Sequence, residues 1–284
     1  MIKNIHPTSV IETGAKVAST AKLGCFVQVC GGASIEDGAV VDGLVIVPSN
    51  VHIDVNARVG CGVSFITPVS MAKRTVIGKN VSLGANVIID SGVTIGDGAV
   101  IAPGTKIQRS IPSMAMVEGA PARIVGYVGA SCEALASVES ASGAIQASIV
   151  SGVQLHRMPR VADIRGNLTV GEFDRSIPFA VRRYFMVFDV PSMETRGEHA
   201  HRECHQFLIC VRGSCAVVAD DGKNRQEFLL DRPDVGVHLP PMVWGIQYKY
   251  SADAVLLVFA SHHYDSADYI RNYAEFRQLV GATA

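Results

Sequence analysis

The sequence lacks long apolar runs, any excess of one charge and closely paired cysteines. No stretch among its 284 residues approaches the roughly 18 apolar residues of a membrane-spanning helix, and the N-terminus has no signal-peptide pattern. Lys and Arg number 25 against 26 Asp and Glu, so no electrostatic attraction to nucleic acid or to an anionic membrane is expected. The seven cysteines contain no Cys-x-x-Cys pair, which argues against a zinc knot or a disulfide framework. We therefore predict a reduced, cytoplasmic protein that binds neither nucleic acid nor membrane.

Aromatic residues are scarce in the first half of the chain. Residues 1–150 contain three of them, whereas residues 151–284 contain fifteen. Between the halves, residues 130–152 are mostly Ala, Ser and Gly, a composition with little side chain to bury. The contrast predicts two domains, at residues 1–128 and 156–284, joined by a linker at 129–155.

A six-residue repeat runs through the first domain, where every sixth residue from Ile5 to Ile107 is apolar. The eighteen positions are Ile5, Ile11, Val17, Leu23, Val29, Ile35, Val41, Val47, Ile53, Val59, Phe65, Met71, Ile77, Leu83, Ile89, Ile95, Ile101 and Ile107. A period of six matches neither an α-helix nor an alternating strand, but it fits short strands joined by tight turns, three to a coil. The repeat predicts a parallel β-helix whose stacked coils bury one large apolar residue per strand.

Two segments of this domain carry a family resemblance. GKNVSLGANVIIDSGVTIGDGAVIAPGTKI (78–107) and GAPARIVGYV (119–128) resemble the final coils and the exit of the left-handed β-helix acyltransferases. The resemblance implies a left-handed parallel β-helix, a trimer, and acetyl-CoA as co-substrate. It also implies that Gly119, Pro121, Ala122 and Arg123 lie beside the cofactor.

Acyl transfer to an amine would need a base in the first domain. His52 is the only histidine well inside the coils and is the candidate base, with a purely structural role as the alternative. The chain departs from similar sugar N-acetyltransferases at residues 67–75, TPVSMAKRT, where those enzymes carry an Asn-x-x-x-Pro-Arg loop. Because of this departure, the domain is either an acyltransferase or an inert trimerising scaffold.

The second half consists of short segments rich in aromatic and β-branched residues. Asp221-Gly222 is a hairpin turn signal, and the apolar periodicity of residues 266–280 predicts a helix capped by Ser266. The predicted strands lie within residues 179–190, 205–220, 225–230, 235–241, 244–250 and 254–261. We therefore expect an all-β protein whose β-helix is followed by a cupin jelly-roll barrel with a short C-terminal helix.

The chemistry of the barrel is concentrated in RGEHAHRECHQ, residues 196–206. His199 and His201 are two residues apart in a predicted strand, so both rings point to one face, which we expect to be the barrel interior. Two inward imidazoles suit either metal ligation or acid–base catalysis. A metal cupin would add a carboxylate where this chain has His205 or Gln206, and a histidine where it has Trp244. We therefore expect no metal and favour acid–base chemistry.

Four runs in the second half, residues 163–185, 196–222, 239–251 and 264–276, are similar to the nucleotide-linked sugar 3,4-ketoisomerases. The domain order further resembles the bifunctional ketoisomerase/N-acetyltransferases of dTDP-3-acetamido-3,6-dideoxyhexose synthesis. This resemblance assigns the HAH pair to catalysis, with His201 as the base and His199 as its partner or proton donor.

Five further residues are weaker candidates for the barrel site. Tyr184 and His238 could assist catalysis, and Trp244 could contact the substrate. Arg183 and Arg196 could hold the diphosphate, since a guanidinium matches phosphate geometry, or they could be solvated or paired charges.

The resemblance implies two reactions. The barrel would isomerise dTDP-4-keto-6-deoxyglucose to a 3-keto-6-deoxyhexose through an enediol, and the coils would N-acetylate the dTDP-3-amino-3,6-dideoxyhexose made from it. A separate PLP aminotransferase would supply that amine, and the chain would assemble as a trimer or a hexamer. The alternatives are a ketoisomerase on an inert scaffold, and a sugar-binding or structural module.

Overall fold

Short strands recur through the first half of the chain, as the six-residue period predicts. The computed structural model describes residues 4–66, 73–131, 144–173, 175–191 and 194–282. The chain divides into two units, Met1–Val128 and Gly129–Ala284. The strands of the first unit are β1 (Val10–Ile11), β2 (Lys16–Val17), β3 (Lys22–Leu23), β4 (Gln28–Val29), β5 (Ser34–Ile35), β6 (Val40–Val41), β7 (Ile46–Val47), β8 (Val51–Ile53), β9 (Arg58–Val59), β10 (Ser64–Phe65), β11 (Thr75–Ile77), β12 (Ser82–Leu83), β13 (Ile88–Ile89), β14 (Thr94–Ile95), β15 (Val100–Ile101), β16 (Lys106–Ile107), β17 (Ala115–Glu118) and β18 (Arg123–Tyr127).

These strands form three sheets, because each strand from β1 to β13 pairs with the third strand after it. The sheet orders are β1-β4-β7-β10-β13-β16, β14-β11-β8-β5-β2 and β18-β17-β15-β12-β9-β6-β3. Pairing is parallel except between β17 and β18, which are antiparallel and close the third sheet. Three strands therefore complete one coil, and the coils stack in register. This architecture confirms the predicted β-helix.

The hexad residues form the core of the β-helix. From Leu23 to Ile107, nearly all of those the structure describes are buried, and each contributes roughly 1.5–3 kcal/mol by leaving water. Ile11 differs, being 40% exposed, because it belongs to the first coil and no complete coil precedes it. Met71 lies outside the described residues. The close stacking also explains Gly84, where a Cβ would lie 2.5 Å from the backbone nitrogen of Pro103 in the next coil.

The second unit is built from two six-stranded sheets. Its strands are β19 (Ala130–Ser131), β20 (Ile145–Ala147), β21 (Gln154–Arg157), β22 (Arg160–Asp163), β23 (Gly166–Thr169), β24 (Arg183–Phe188), β25 (Arg196–His201), β26 (Gln206–Arg212), β27 (Cys215–Asp220), β28 (Arg225–Leu230), β29 (Val235–Leu239), β30 (Trp244–Tyr248), β31 (Val255–Ala260) and β32 (Tyr269–Ile270). The sheet orders are β19-β28-β27-β30-β25-β32 and β20-β21-β29-β26-β31-β24, and β22 pairs with β23 alone. Together they confirm the predicted jelly-roll barrel.

Apolar residues from both sheets fill the barrel interior, including Leu208, Val217, Val237 and Leu256. Strand alternation sends the intervening residues of β26 and β29 outward, where a smaller cluster contains Phe207. This alternation decides which candidate residues can reach the interior.

Two expectations for the second unit need correction. The segment 129–155, predicted as a linker, contributes strands to the barrel: β20 pairs with β21, which pairs with β29. The predicted helix over 266–280 is shorter, because a 3-10 turn at Ser266–Asp268 and strand β32 precede helix α1 (Tyr273–Leu279). Its cap is Asn272 rather than Ser266, and the Asn272 side chain accepts a hydrogen bond from the Glu275 backbone N–H. No helix in the described ranges is long and apolar enough to cross a membrane.

Candidate active site

His199 and His201 converge inside the barrel at the end of β25. His199 lies opposite Gly245 of β30, and a register irregularity between Gly197 and His199 accommodates Glu198, whose φ is +52°. The two rings are nearly perpendicular, and their Nε2 atoms are 3.2 Å apart. The strand therefore presents both imidazoles to one point, as their spacing predicts.

Asp268 fixes the orientation of His201. The Nδ1 atom of His201 lies 2.6 Å from one carboxylate oxygen of Asp268, and the other oxygen accepts the backbone N–H of Glu203 at 2.7 Å. Burial acts to raise the pKa of Asp268, but these hydrogen bonds outweigh burial and hold that pKa below its ordinary value. Asp268 is therefore ionised near pH 7, and Nδ1 of His201 must carry the hydrogen that it donates.

His199 is held in the same tautomer by the backbone. Its Nδ1 lies 2.9 Å from the carbonyl oxygen of Gly197, and a carbonyl can only accept. In their neutral forms, both histidines thus turn an unprotonated Nε2 toward the other. The amide of Gln206 lies 3.0 Å from Nε2 of His201 and donates to it. Two facing lone pairs can bind one proton between them, which is the arrangement expected of an acid–base pair.

Burial keeps this pair deprotonated in the folded protein. It lowers the pKa of His199 to about 4, against the opposing hydrogen bond to Gly197. Burial also lowers the pKa of His201, although Asp268 opposes that shift. His201 thus keeps Nε2 unprotonated near neutral pH, as a general base requires.

The pocket around the pair is small and mostly uncharged. It is lined by His199, His201, Cys204, Gln206, Leu239, Pro240, Val243, Gly245 and Gln247. The ring of Tyr269 packs against both histidines, at centroid distances of 4.8 and 4.3 Å, and the guanidinium of Arg271 lies over Tyr269.

Of the two predicted arginines, the structure brings Arg183 toward the histidines. Its positive charge helps to lower the pKa of His201, and its guanidinium lies over the rings of Phe185 and Tyr264. Its Nε is buried without a hydrogen-bond partner among the described residues. Arg196 is exposed and lies five residues before His201 on β25, roughly 16 Å away along an extended strand.

Three other predicted residues do not line the pocket, because each lies at a strand position that faces away from it. Tyr184 is 65% exposed on the outer face of β24. His238 faces out of β29 and forms a 2.9 Å hydrogen bond with His205. Trp244 packs against Tyr273 and Phe276 instead, so Gly245 takes the inward position.

Sequence reasoning missed Asp268, Tyr269 and Arg271. All three follow the last long strand, in a run that the sequence predicts as helix. The run 264–276 is one of the segments that carry the family resemblance, and this resemblance is the only signal in the sequence for these three residues.

One group of metal-ligating side chains occurs in the described part of the chain: His201, Cys204 and Asp268, whose ligand atoms lie within 4.8 Å. Each already has a hydrogen-bond partner, since Asp268 bonds His201 and the Cys204 thiol donates to the carbonyl of His205. The absence of a metal requirement stays a prediction.

The candidate residues of the β-helix lie on two different sheets. His52 on β8 has its Nδ1 2.6 Å from the hydroxyl of Ser34 and 3.8 Å from Glu36. Gly119, Pro121 and Ala122 lie between β17 and β18, and the following Arg123 forms a 3.0 Å ion pair with Glu118. Within one chain, the structure does not bring these two groups onto one face.

Comparison with known proteins gives one family match in each half of the chain. Residues 151–281 match the model described as FdtA, WxcM-like, C-terminal, and residues 74–109 match the bacterial transferase hexapeptide model. The chain is 42% identical over 121 residues to a TDP-4-oxo-6-deoxy-alpha-D-glucose-3,4-oxoisomerase of Aneurinibacillus thermoaerophilus, covering 43% of this chain and 87% of the relative. The chain belongs to the FdtA, WxcM-like family.

Solved structures align with the WxcM-like half. A 3,4-ketoisomerase from Helicobacter canadensis is 35% identical, with a TM-score of 0.45, covering 46% of this chain and 98% of that one. A variant of the 3,4-ketoisomerase QdtA from Thermoanaerobacterium thermosaccharolyticum, in complex with TDP, is 36% identical, with a TM-score of 0.46 and coverages of 46% and 96%.

Proposed function

We propose that the barrel is a dTDP-sugar 3,4-ketoisomerase in which His201 is the base. The observation that carries this proposal is the chain of contacts Asp268–His201–His199, with Nε2 unprotonated on each neutral histidine. The 42% identity to a TDP-4-oxo-6-deoxyglucose 3,4-oxoisomerase supports the same reaction.

The reaction needs only proton transfers. Nε2 of His201 removes the C3 proton, which is acidic because C3 is next to the C4 ketone. The electron pair moves to the C4 oxygen, which takes the proton of the C3 hydroxyl, so that the enediol intermediate carries its charge on the C3 oxygen. A proton is then returned to C4 as the C3 oxygen becomes the ketone, and we assign its delivery to His199, 3.2 Å from His201. The ketone moves from C4 to C3 with no net change in oxidation state, so the reaction needs no redox cofactor.

The arginines at the barrel mouth supply a place for the diphosphate. Among the described residues, the buried Nε of Arg183 has no hydrogen-bond partner, and Arg271 lies over Tyr269, which packs against both histidines. A guanidinium pairs well with phosphate oxygens, so we assign Arg183 to this role and add Arg271.

The decisive experiment is proton NMR of dTDP-4-keto-6-deoxyglucose with the purified chain in D₂O. We expect deuterium at C3 and growth of a 3-keto isomer. His201→Asn should abolish both, because Asn has no base of suitable pKa. His263→Asn, an exposed histidine of the same unit, is the matched control and should retain activity. Exchange that survives in the folded His201→Asn protein would contradict the assignment.

For the β-helix, we propose N-acetylation of a dTDP-3-amino-3,6-dideoxyhexose by acetyl-CoA, with His52 as the base. The hexapeptide repeat and the exit at residues 119–123 support this activity. The proposal also needs a separate PLP aminotransferase to make the amine, and a trimer or hexamer of the chain in the cytoplasm. The second candidate is a ketoisomerase on an inert scaffold, favoured by the missing Asn-x-x-x-Pro-Arg loop. Titration with acetyl-CoA separates the two, because an inert scaffold would not bind it.

A further inference from the structure

A polar groove on the surface of the β-helix has no role in the reactions assigned so far. It is lined by Gly38, Asn56, Arg58, Asn80, Val81 and Ser82, with a volume of about 360 Å³. Val81 is fully buried and forms its floor, while Arg58 and Asn80 are exposed above it. We call it the Arg58 groove.

Hydrogen-bond donors in the Arg58 groove are unused. Within the described ranges, the side chains of Arg58, Asn80 and Ser82 form no hydrogen bond or ion pair. Arg58 and Ser82 are directly opposed on the neighbouring strands β9 and β12, so their side chains can contact one group. Among the residues that the structure describes, no carboxylate lines the groove.

This combination of groups favours a phosphorylated ligand. A guanidinium presents a planar fork of donors that matches phosphate oxygens, and amide and hydroxyl groups add neutral hydrogen bonds. The volume exceeds that of a single phosphate and leaves room for a diphosphate.

The position of the groove connects it with acyl transfer. Arg58 lies on the same coil as His52, and Asn56 of the intervening turn lines the groove. The sheet that carries Arg58 also carries β17 and β18, which flank residues 119–122. Both substrates of the proposed N-acetylation, the nucleotide-linked amino sugar and acetyl-CoA, contain a diphosphate.

We propose that the Arg58 groove binds the diphosphate of one of these two substrates. This inference rests on the acyltransferase part of the proposed function and is independent of the ketoisomerase part. It identifies Arg58 as a binding residue, with Asn80 and Ser82 as its neutral partners.

The test is calorimetric titration of the full chain with CoA and, separately, with dTDP. Arg58→Gln removes the charge, and Lys22→Gln is the matched control, since Lys22 is exposed on β3 of the same sheet. If the groove holds CoA, Arg58→Gln should weaken CoA binding at least tenfold. If it holds the nucleotide sugar, Arg58→Gln should bind one dTDP fewer per chain than the unmodified chain, whether or not the barrel also binds dTDP.

Lys22→Gln should bind both ligands as the unmodified chain does. Equal binding of both ligands by the unmodified chain and Arg58→Gln would overturn the proposal, as would a loss shared with Lys22→Gln. Deuterium exchange at C3 of the keto sugar, followed in the same preparations, reports the barrel separately. A failed ketoisomerase assay therefore leaves the result for the groove readable.

Discussion

Acidification should lower the stability of the barrel, because the barrel buries histidines in their neutral form. Burial lowers the pKa of His238 to about 4, with help from nearby His205 and His156, and burial also lowers that of His199 to about 4. In the unfolded chain both should titrate near 6.5. Between these two pKa values, both histidines are protonated in the unfolded chain but neutral in the folded barrel. Stability must therefore fall as the pH falls through this window.

The size of the effect follows from the two pKa values. Consider a histidine whose pKa drops from 6.5 to about 4 on folding. Between pH 7 and pH 5, its titration lowers the free energy of unfolding by about 2 kcal/mol. His199 and His238 together give about 4 kcal/mol. The pKa values of His156, His201 and His205 are also lowered, mainly by burial, and act in the same direction. This is a large part of the roughly 5–15 kcal/mol that stabilises a typical domain.

The fluorescence of Trp244 reports specifically on unfolding of the barrel, because Trp244 is the only tryptophan of the sequence and is buried in the second unit. Urea unfolding followed by its fluorescence at pH 7 and pH 5 should show the loss. His238→Gln, which cannot titrate, should reduce the pH dependence by about 2 kcal/mol. The exposed His263→Gln should leave it unchanged. An unmodified chain equally stable at both pH values, or a full pH dependence in His238→Gln, would refute the reasoning.

Two further substitutions test the contacts around the site. Asp268→Asn should lower kcat by roughly 10²–10⁴-fold. The backbone N–H of Glu203 takes the amide oxygen, so the amide NH₂ faces Nδ1 of His201 and moves the ring hydrogen to Nε2. The NMR assay at constant folded content measures this, and normal activity would show that the tautomer does not matter. Phe276→Ala should destabilise the barrel by roughly 3–5 kcal/mol, because this fully buried ring packs against Trp244. A calorimetric melting temperature equal to that of the unmodified chain would contradict it.

The β-helix was predictable because its signal repeats. One apolar position every six residues specifies the same strand and turn many times, so a local exception such as the exposed Ile11 does not obscure the pattern. The C-terminal helix lacked such redundancy. Its apolar periodicity extends back through Tyr269 and Ile270, but these residues pair as a strand with β25, a contact that no local pattern records.

The candidate site was predictable only where the signal was local. His199 and His201 share a strand, so their convergence follows from alternation alone. For Tyr184, His238 and Trp244, the sequence identified the strand but not which face points inward. Neighbouring residues of a strand point to opposite faces, so an error of one residue exchanges interior and exterior. In β30, for example, Gly245 lines the pocket and Trp244 does not.

The contact between Asp268 and His201 could not be predicted from the local sequence, because the two residues are 67 positions apart in the chain. An HxH pair is equally compatible with a metal centre and with acid–base catalysis. The Nδ1 hydrogens that Asp268 and the carbonyl of Gly197 accept fit both alternatives. Gln206 donates to Nε2 of His201 where a metal cupin would supply a carboxylate, and for this reason acid–base catalysis remains our prediction. The histidines thus keep two unprotonated nitrogens 3.2 Å apart, with the Asp268 carboxylate close enough to balance one added proton. A pair built in this way accepts a single proton and can pass it on, which is what moving a ketone between adjacent carbons requires.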